Sequence, residues 1–192
     1  MSGEKVELRL LSEDGHVFAE ELSRTREEES AIKLELILAL LKNDQLDDSL
    51  RFAAETGVCA IHLVFCERSV PRYSGIRLID KMSRWKKILD ESTKQAGSAS
   101  PPKLFSPLLL TELDLKLMPD CRFAAILSPE SELLSKIEYK SPAVIAIGPE
   151  GDWTPSEEEF LLEKSFRPVS LGKRILRAST AVAVACGWFS LS

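Results

Sequence analysis

The sequence predicts an α/β fold with a mostly parallel sheet and helices on both of its faces. Strand-like and helix-like segments alternate from residue 31 to the end of the chain. Several strand-like segments, such as "AVIAI", are apolar throughout, which is typical of parallel strands buried on both faces. Because ligands of open α/β sheets bind beyond the carboxyl ends of the strands, the loops that follow those strands are where we expect a site.

The first 30 residues are predicted to form a separate unit. The segments "KVELRLL" and "HVFAEEL" alternate between apolar and polar residues and flank the turn sequence "SEDG", so residues 5–22 are predicted to form a β-hairpin. The polar "SRTREEES" that follows is predicted to be a linker. We therefore expect two parts, a short hairpin unit over 1–30 and one α/β domain over 31–192.

The first half of the α/β domain is predicted to alternate strand and helix. "AIKLELILALL" and "CAIHLVF" are the strands. The helix in "NDQLDDSLRFAAETG" has Asn43 or Asp44 as its N-cap and stops at Gly57. The helix in "GIRLIDKMSRWKKILDESTKQAG" has apolar residues at helical spacing and ends at Gly97.

The second half continues the alternation. Strands are predicted in "KLFSPLL", "CRFAAIL", "PAVIAIG" and "RPVSLG", and helices in "LTELDLKL", "PESELLSKI" and "ASTAVAVACGWFSL". The helix in "TPSEEEFLLEKS" has the strongest start signal, with Thr154 as N-cap, Pro155 at the first helical position and Glu157 completing a capping box.

Composition limits the class of protein. The chain has 192 residues, 44% hydrophobic and 29% charged, which suits a globular domain. No apolar run approaches the roughly 20 residues that span a bilayer, and the N-terminus has no apolar signal segment. We therefore expect no membrane association and a cytoplasmic location, with a processed organellar form as the alternative.

Cysteine and histidine usage gives no indication of a metal site. His16 and His62 are the two histidines, and they belong to no cluster with metal-ligand spacing. The cysteines lie in or beside apolar segments without a CxxC pair, so they are predicted to be buried and reduced: Cys59, Cys66, Cys121 and Cys186.

Charge is unevenly distributed along the chain. The net charge is −5, and residues 1–30 contain four basic and nine acidic residues, which accounts for it. Basic residues cluster in 68–87, with seven basic and one acidic residue, and in 164–177, with five basic and no acidic residue. These clusters are either solvated faces or contacts for a phosphate backbone, since local patches set the field that a phosphate experiences.

The loop in "AIGPEGDWTPSEEEF" offers two glycines that permit close backbone approach and a proline that stiffens the turn. It is neither GxGxxG nor a P-loop, so on its own it predicts only a strand-to-helix turn. The following helix carries glutamates in its first turns, which repel phosphate. The loop therefore suits an uncharged or cationic group.

The loop in "SLGKRILRASTA" lies between a strand and the small-residue start of the last helix. It is either an ordinary βα loop with exposed basic residues or part of a binding site. In a binding site, Gly172 could present backbone groups to an adenine edge, and Arg177 could contact a phosphate or an anionic base.

The two loops together resemble a known family signature. "IGPEGDWTPSEEEF" followed by "VSLGKRILRASTAVAVA" resembles the C-terminal signature of the RsmE-type family, which methylates N3 of a uridine in small-subunit ribosomal RNA. "LALLKNDQLDDSLRFAAETGV", "ERSV" and "RWKKILDESTKQAG" follow the family order upstream, so the resemblance covers about residues 31–192. It implies a SPOUT-type methyltransferase with a C-terminal trefoil knot that acts as a homodimer with S-adenosylmethionine (SAM).

The resemblance also implies roles for particular residues. Arg177 and Thr180 would face the target uridine, together with Arg68. The RNA would be bound by Lys42, Arg68, Arg72 and Arg174. The cofactor pocket would be lined by Leu127, Ile147, Gly148, Pro149, Glu150, Gly151, Ser170, Leu171, Gly172, Ile175 and Leu176.

In this family reading, the protein holds an activated methyl group in line with uridine N3, and a cation near O2 or O4 stabilises the anion that forms there. Arg177 is the residue we expect in that role.

The alternative is a catalytically weakened member that binds SAM or RNA without methyl transfer. It is suggested by three replaced residues: Ser179 and Lys94 stand where the family has glutamate, and Ser98 stands where it has arginine. Residues 1–30 suggest it as well, because they resemble a remnant of an N-terminal RNA-binding barrel. An α/β nucleotide-binding protein outside the family is disfavoured because no P-loop is present.

Overall fold

The computed structural model describes residues 4–26, 33–42, 44–98 and 100–191. Within them the chain forms a two-stranded hairpin and a seven-stranded sheet with four α-helices. The elements are, in chain order, β1 (Glu4–Glu13), β2 (His16–Arg26), β3 (Leu34–Ala39), α1 (Asp44–Glu55), β4 (Ala60–Phe65), α2 (Gly75–Gln95), β5 (Lys103–Leu109), β6 (Cys121–Ala125), β7 (Glu132–Leu133), β8 (Ala143–Ile147), α3 (Pro155–Glu163), β9 (Arg167–Ser170) and α4 (Ala178–Leu191).

The large sheet has the strand order β5-β4-β3-β8-β6-β9-β7, and every strand pairing in it is parallel. The strand β8 lies at the centre, and all five of its residues are buried. An all-apolar strand is stable only in such a position, because each face is covered by other elements. The predicted α/β class with a parallel sheet is confirmed.

Helices cover both faces of this sheet. On one face α1, α2 and α4 pack over a core that includes Leu36, Leu63 and Ile145. On the other face α3 and the segment before β6 pack over a smaller core that includes Val64 and Ala146. Successive side chains of a strand point to opposite faces of the sheet, so adjacent residues belong to different cores.

The N-terminal hairpin is confirmed and is longer than predicted. β1 and β2 pair antiparallel across a turn at Asp14 and Gly15, whose φ angles of 48° and 78° are both positive, as a two-residue hairpin turn requires. β2 continues to Arg26, so the first half of the predicted linker is strand, while residues 27–30 lie outside the described residues. All side chains from residue 7 to residue 25 are exposed.

Two predicted helices are wrong. In "PESELLSKI", Glu132 and Leu133 pair with β9 at the edge of the sheet, and a single 3-10 turn follows at Leu134–Lys136. In "LTELDLKL", two 3-10 turns form, because the Asp114 carboxylate accepts from the Lys116 amide and starts a new turn there. Long-range strand pairing and local side-chain capping override weak helical patterns in both segments.

The predicted helix ends agree with the structure wherever they are described. Gly57 and Gly97 have φ angles of 79° and 74°, the left-handed conformation that ends a helix. The capping box of α3 is present, with Thr154 and Glu157 bonding each other's backbone amides. Asp44 is the first residue of α1, and Asn43 lies outside the described residues.

The cysteines are free thiols, and the prediction that all are buried is confirmed for two of them, only partly met by Cys121 and wrong for Cys59. Cys66 and Cys186 are buried, and burial raises the pKa of each to about 12, so both are protonated at neutral pH. Cys121 is partly buried, whereas Cys59 is exposed just before β4 begins. Separately, none of the helices in the described ranges is long and apolar enough to cross a membrane.

Candidate functional site

A cavity of about 360 Å³ opens at the carboxyl ends of β6, β8 and β9. This volume falls within the range of small-molecule sites in proteins. The strand order brings the loops that follow these three strands side by side, with the start of α4 closing one wall. The cavity is lined by Gln45 and by residues 125–127, 147–150, 152, 169–172, 174–178 and 181.

The residues predicted to bind a cofactor are brought together here, except Gly151. Arg174 and Arg177, predicted to contact RNA and the target base, line the same cavity. The predicted cofactor residues that line it are Leu127, Ile147, Gly148, Pro149, Glu150, Ser170, Leu171, Gly172, Ile175 and Leu176.

The loop after β8 depends on the packing of Gly148 against Trp153. A Cβ on Gly148 would lie 3.0–3.2 Å from three atoms of the Trp153 indole, closer than ordinary contact allows. The indole is buried, and its Nε1 donates to Ala125 O at 2.9 Å. Trp153 therefore supports the loop from beneath, and a side chain at position 148 would press against its indole.

Glu150 connects this loop to the start of α1. Its Oε1 accepts from the Lys42 amide at 2.8 Å and from Gln45 Nε2 at 3.4 Å. A carboxylate that accepts a backbone amide at a helix start is favoured by the helix dipole. Glu150 thus has a structural role in addition to its position in the cavity wall.

Arg68 holds the same loop from the outside. Its Nη1 donates to Gly151 O at 2.9 Å and to Trp153 O at 3.0 Å. A Cβ on Gly151 would lie 3.1 Å from the Arg68 Cβ, so Gly151 packs against the arginine and not into the cavity. The bonding pattern makes Arg68 a positioning residue for the loop, which the sequence prediction did not anticipate.

A second contact joins the turn after β4 to α3. Glu157 Oε2 accepts from the Thr154 amide at 2.9 Å within the capping box, and its Oε1 accepts from the Glu67 amide at 2.8 Å. The carboxylate is buried, so both of its bonds lie away from competing water. The loop between β8 and α3 is therefore fixed at both ends.

The loop after β9 closes on itself. The Ser170 hydroxyl accepts from the Gly172 amide at 3.3 Å and donates to Gly172 O at 3.1 Å. Gly172 has a φ of 132°, which side chains other than hydrogen rarely permit. Beyond it, Ile175 and Arg177 are exposed and line the cavity, so this wall combines an apolar with a cationic side chain.

The polar groups of the cavity are separated by charge. Glu150 and Asp152 come from the loop after β8, whereas Arg174 and Arg177 come from the loop after β9. In the sheet, β8 and β9 are separated by β6. Carboxylates and guanidiniums therefore occupy opposite sides of the opening, and the cavity suits a ligand that carries both signs of charge.

Besides Gly151 and Arg68, three further predicted site residues lie outside the cavity lining. Thr180 is exposed on α4, one position before the lining residue Ala181. Arg72 donates from Nη2 to Cys66 O at 2.8 Å, and its guanidinium lies 5.5 Å from the centre of the Phe65 ring. Lys42 is exposed, and its backbone amide serves Glu150.

Some lining residues were missed by the sequence prediction. Gln45 belongs to an ordinary polar helix start, and nothing in its neighbours indicated a pocket. Asp152 follows the glycine turn and has a φ of 63°. Ala178 and Ala181 are three positions apart at the start of α4, so their spacing and small size could have indicated a face that leaves room for a ligand.

Neither histidine lines the cavity. His62 bonds Glu35 at 2.7 Å and stacks on Phe105 with ring centroids 4.4 Å apart, and His16 lies in the hairpin. Across the described ranges, no three His, Cys, Asp or Glu side chains are grouped to hold a metal ion. The polar groups that line the cavity are carboxylates, guanidiniums, the Ser170 hydroxyl, the Gln45 amide and backbone groups.

Comparison with known proteins gives a consistent family. Residues 28–190 match the model of the RNA methyltransferase domain family. The chain is similar to the ribosomal RNA small subunit methyltransferase E of Synechocystis, with 31% identity over 91% of this chain and 59% of that protein. It is also similar to ribosomal RNA small subunit methyltransferase E 2 of Borreliella burgdorferi, with 31% identity over 84% of this chain and 67% of that protein.

Structural similarity leads to the same family. The crystal structure of a Neisseria gonorrhoeae ribosomal RNA small subunit methyltransferase E bound to SAM has a TM-score of 0.83 and 33% identity, over 97% of this chain and 78% of that chain. The chain nevertheless spans only 59% of the length of the Synechocystis relative. From the parallel sheet, the two cavity loops and these similarities, we conclude that this chain belongs to the RsmE-type family of RNA methyltransferases, with a SPOUT-type fold.

Proposed function

We propose that this protein transfers a methyl group from SAM to RNA, and that its substrate is N3 of a uridine in small-subunit ribosomal RNA. The observation that carries this proposal is the cavity between the loops after β8 and β9, which combines apolar walls with Arg174 and Arg177 at its edge. Family membership supports the reaction class, and similarity to ribosomal RNA small subunit methyltransferases supports the substrate class.

The lining residues fit SAM on three grounds. Apolar side chains of Leu127, Ile147 and Leu176 offer walls for the flat adenine ring. Gly172, where an added Cβ would meet nothing within 4 Å, keeps the backbone of the loop after β9 free of a side chain where the ligand would approach. Carboxylates and guanidiniums on opposite sides match a ligand with both charges. When bound, SAM supplies a methyl group on a sulfonium, which needs no further activation.

The protein's own contribution is positioning and charge. Uridine N3 must lose a proton before it accepts a methyl group, and the resulting anion is delocalised over O2 and O4. Arg177 lines the cavity and is exposed, so its guanidinium is available to donate to one of these oxygens. Cations directed at developing negative charge are among the largest contributions to catalysis. No general base is assigned among the lining residues.

We propose that RNA approaches across the exposed basic residues around the cavity mouth. Arg174 lines the mouth. Lys42 is exposed three residues after β3, and its backbone amide donates to the lining residue Glu150. Arg68 is exposed, and both of its bonds to the loop come from Nη1, so its other two nitrogens can contact a phosphate. Arg72 is also exposed, and its bond to Cys66 O occupies one nitrogen. Neutralised phosphates would make binding strongly dependent on salt.

The domain organisation is part of the proposal. Residues 1–30 would be a short hairpin remnant of an RNA-binding unit, and 31–192 the SPOUT methyltransferase domain with its trefoil knot. We propose a homodimer, which sedimentation equilibrium tests directly, since a single-chain mass of 21.4 kDa in solution would contradict it. The compartment would be the one that assembles ribosomes, the cytoplasm or an organelle.

A second candidate is a family member that binds SAM or RNA without methyl transfer. The observation that favours it is Ser179, which is buried at the start of α4, at the position where the resemblance leads us to expect glutamate. A hydroxyl in place of a carboxylate still accepts a hydrogen bond, but it lacks the negative charge that could orient an arginine or take up a proton.

Transfer of tritiated methyl from SAM to small-subunit ribosomal RNA separates the two candidates. The proposal expects radioactivity in the RNA, recovered as N3-methyluridine after digestion. Calorimetry with SAM on the same preparation provides the control for a folded pocket. SAM binding without label in the RNA would support the second candidate, and label on another atom would contradict the assigned substrate.

A further inference from the structure

Glu150 holds the backbone of Lys42 beside the cavity. Glu150 lines the cavity wall, and its Oε1 accepts from the Lys42 amide at 2.8 Å. On the other side of the same residue, the Lys42 carbonyl accepts from the Gln45 amide at 3.1 Å, where α1 begins. Both backbone polar groups of Lys42 are therefore bonded, so the direction in which its side chain leaves the main chain is fixed.

The Lys42 side chain, by contrast, is available to a partner. Lys42 is exposed, and its ammonium makes no ion pair or hydrogen bond with the residues that the structure describes. Because β3 and β8 are adjacent and parallel, the residues that follow β3 lie at the same edge of the sheet as the loop after β8. A lysine at this edge can contact a phosphate of an RNA whose base enters the cavity.

The charge of Glu150 and its bond to Lys42 have opposite effects on such an RNA. Glu150 is exposed, and a carboxylate beside the path of a polyanion repels it. Its bond to the Lys42 amide supports binding, because the residue that it holds carries a positive charge. The two effects can be separated experimentally, since one depends on charge and the other on a hydrogen-bond acceptor.

We propose that Glu150 is a positioning residue that acts on RNA binding through Lys42. By bonding the Lys42 amide, it holds this lysine where the ammonium neutralises a phosphate of the RNA. The inference rests on the proposed function, because it takes RNA as the substrate and Lys42 as one of its contacts. It adds to the role implied by family resemblance, in which Glu150 only lines the cofactor pocket.

The test separates the charge of Glu150 from its bond. Glu150→Gln removes the charge and keeps an oxygen that can accept from the Lys42 amide, whereas Glu150→Ala removes both. Filter binding of the full-length protein to a transcript of small-subunit ribosomal RNA, at several KCl concentrations, gives the affinity and its salt dependence. Lys42→Ala and the double variant with Glu150→Ala complete a double-mutant cycle. Glu159→Ala, at an exposed glutamate of α3, is the matched control.

We expect Glu150→Ala to weaken RNA binding by roughly threefold to fivefold, as for the loss of one exposed charge pair. The slope of log affinity against log salt should fall by about one, because one phosphate contact is lost. Lys42→Ala should have the same two effects, and the double variant should bind no more weakly than Lys42→Ala, since no ammonium is left to position. Glu150→Gln should bind at least as tightly as the wild type with an unchanged slope, and Glu159→Ala should change neither quantity.

Tighter RNA binding by both Glu150 variants would overturn the inference, because the carboxylate would then act only by repulsion. Additive losses in the double variant would contradict it as well, since Glu150 would then act independently of Lys42. Lys42→Ala breaks no backbone bond, so it remains informative if Glu150→Ala does not fold. Wild-type affinity and slope in Lys42→Ala would rule out the inference by themselves.

These results are distinct from a failure of the proposed function. A wild type that transfers methyl groups to the RNA, with Glu150 variants that contradict the expectation, would remove only the positioning role. A wild-type protein that does not bind the RNA would instead overturn the proposed function and this inference with it.

Discussion

At the scale of single residues, Arg177 carries the most specific chemical prediction. It is exposed at the cavity, and its guanidinium bonds none of the described residues, so it can contact a base without first losing a bond to them. We expect Arg177→Ala to lower kcat by about 100-fold or more, as for other groups directed at a developing anion, with little change in SAM affinity. Steady-state methyl transfer and calorimetry measure the two quantities.

Lys173→Ala is the matched control, because Lys173 is exposed in the same loop and does not line the cavity. It should leave kcat close to the wild-type value. If Arg177→Ala lowered SAM affinity as much as turnover, Arg177 would belong to the cofactor site and not to the reacting base.

Arg68 should act through the loop that it holds. Removing its bonds to Gly151 O and Trp153 O releases two carbonyls, so we expect Arg68→Ala to weaken SAM binding by roughly tenfold. Arg68→Lys should restore part of this affinity, since an ammonium can still reach a carbonyl. Calorimetry with SAM alone measures the effect without any contribution from RNA.

Arg77→Ala serves as the control, since Arg77 is an exposed arginine on α2 away from the loop. An Arg68→Ala protein with normal SAM affinity and impaired RNA binding would contradict the positioning role and favour the role inferred from family resemblance.

Gly148 tests the close packing of the cofactor loop. An alanine there would press against the buried Trp153 indole, so we expect Gly148→Ala to lower the free energy of unfolding by about 1–3 kcal/mol. Gly187→Ala is a matched control in α4, where a Cβ meets nothing within 4 Å. That change should raise stability by about 0.5–1 kcal/mol, since alanine favours helix.

Urea unfolding of both variants gives these free energies. Equal effects of the two substitutions would mean that the indole moves aside easily, and the account of Gly148 would then be wrong.

Whether a site residue could be located from sequence depended on how distinctive its neighbouring residues are. Gly148 and Pro149 come directly after one apolar strand, and Gly172 comes after another. These strand-ending residues allowed the sequence alone to locate the loops after β8 and β9. Gln45 could not be found in this way, because a polar residue in the first turn of a helix is ordinary. Its place in the cavity arises from the pairing of β3 with β8, which brings two distant loops together.

At the scale of elements, the start of α3 supports the cavity loop. The Glu157 carboxylate joins the capping box to the turn after β4, so we expect Glu157→Ala to lower the free energy of unfolding by about 1–3 kcal/mol. Glu159→Ala, at an exposed glutamate of the same helix, should change it by no more than about 0.5 kcal/mol.

Chemical denaturation of the two variants measures the difference in their free energies of unfolding. The dependence of this free energy on denaturant concentration should be the same in both. A Glu157→Ala protein as stable as Glu159→Ala would show that the bond to the Glu67 amide contributes nothing and that the cap is dispensable.

Strands and helices were predictable to different degrees. The capping box and the apolar runs specify α3 and β8 by local chemistry, and both appear where the sequence indicated. Residues 132–133 form a strand only because β9 offers an open edge, which a local pattern does not contain. Short elements at a sheet edge are therefore the least predictable part of this fold.

At the scale of the whole molecule, two parts with different surfaces follow each other along the chain. The hairpin over 4–26 exposes its side chains from residue 7 to 25, whereas the sheet domain buries its strands on both faces. An isolated two-stranded hairpin is marginally stable in water, so we expect it to gain order from contact with another surface. The parallel sheet, by contrast, positions the cavity loops without help from the hairpin.

The central claim is that SAM binds between the loops after β8 and β9. An NMR titration of the labelled full-length protein with SAM tests it most directly, because each backbone amide reports on its own surroundings. We expect the largest chemical-shift changes in residues 148–152 and 170–178, with little change in the hairpin. No change at millimolar SAM, or changes confined to residues outside the cavity lining, would contradict it.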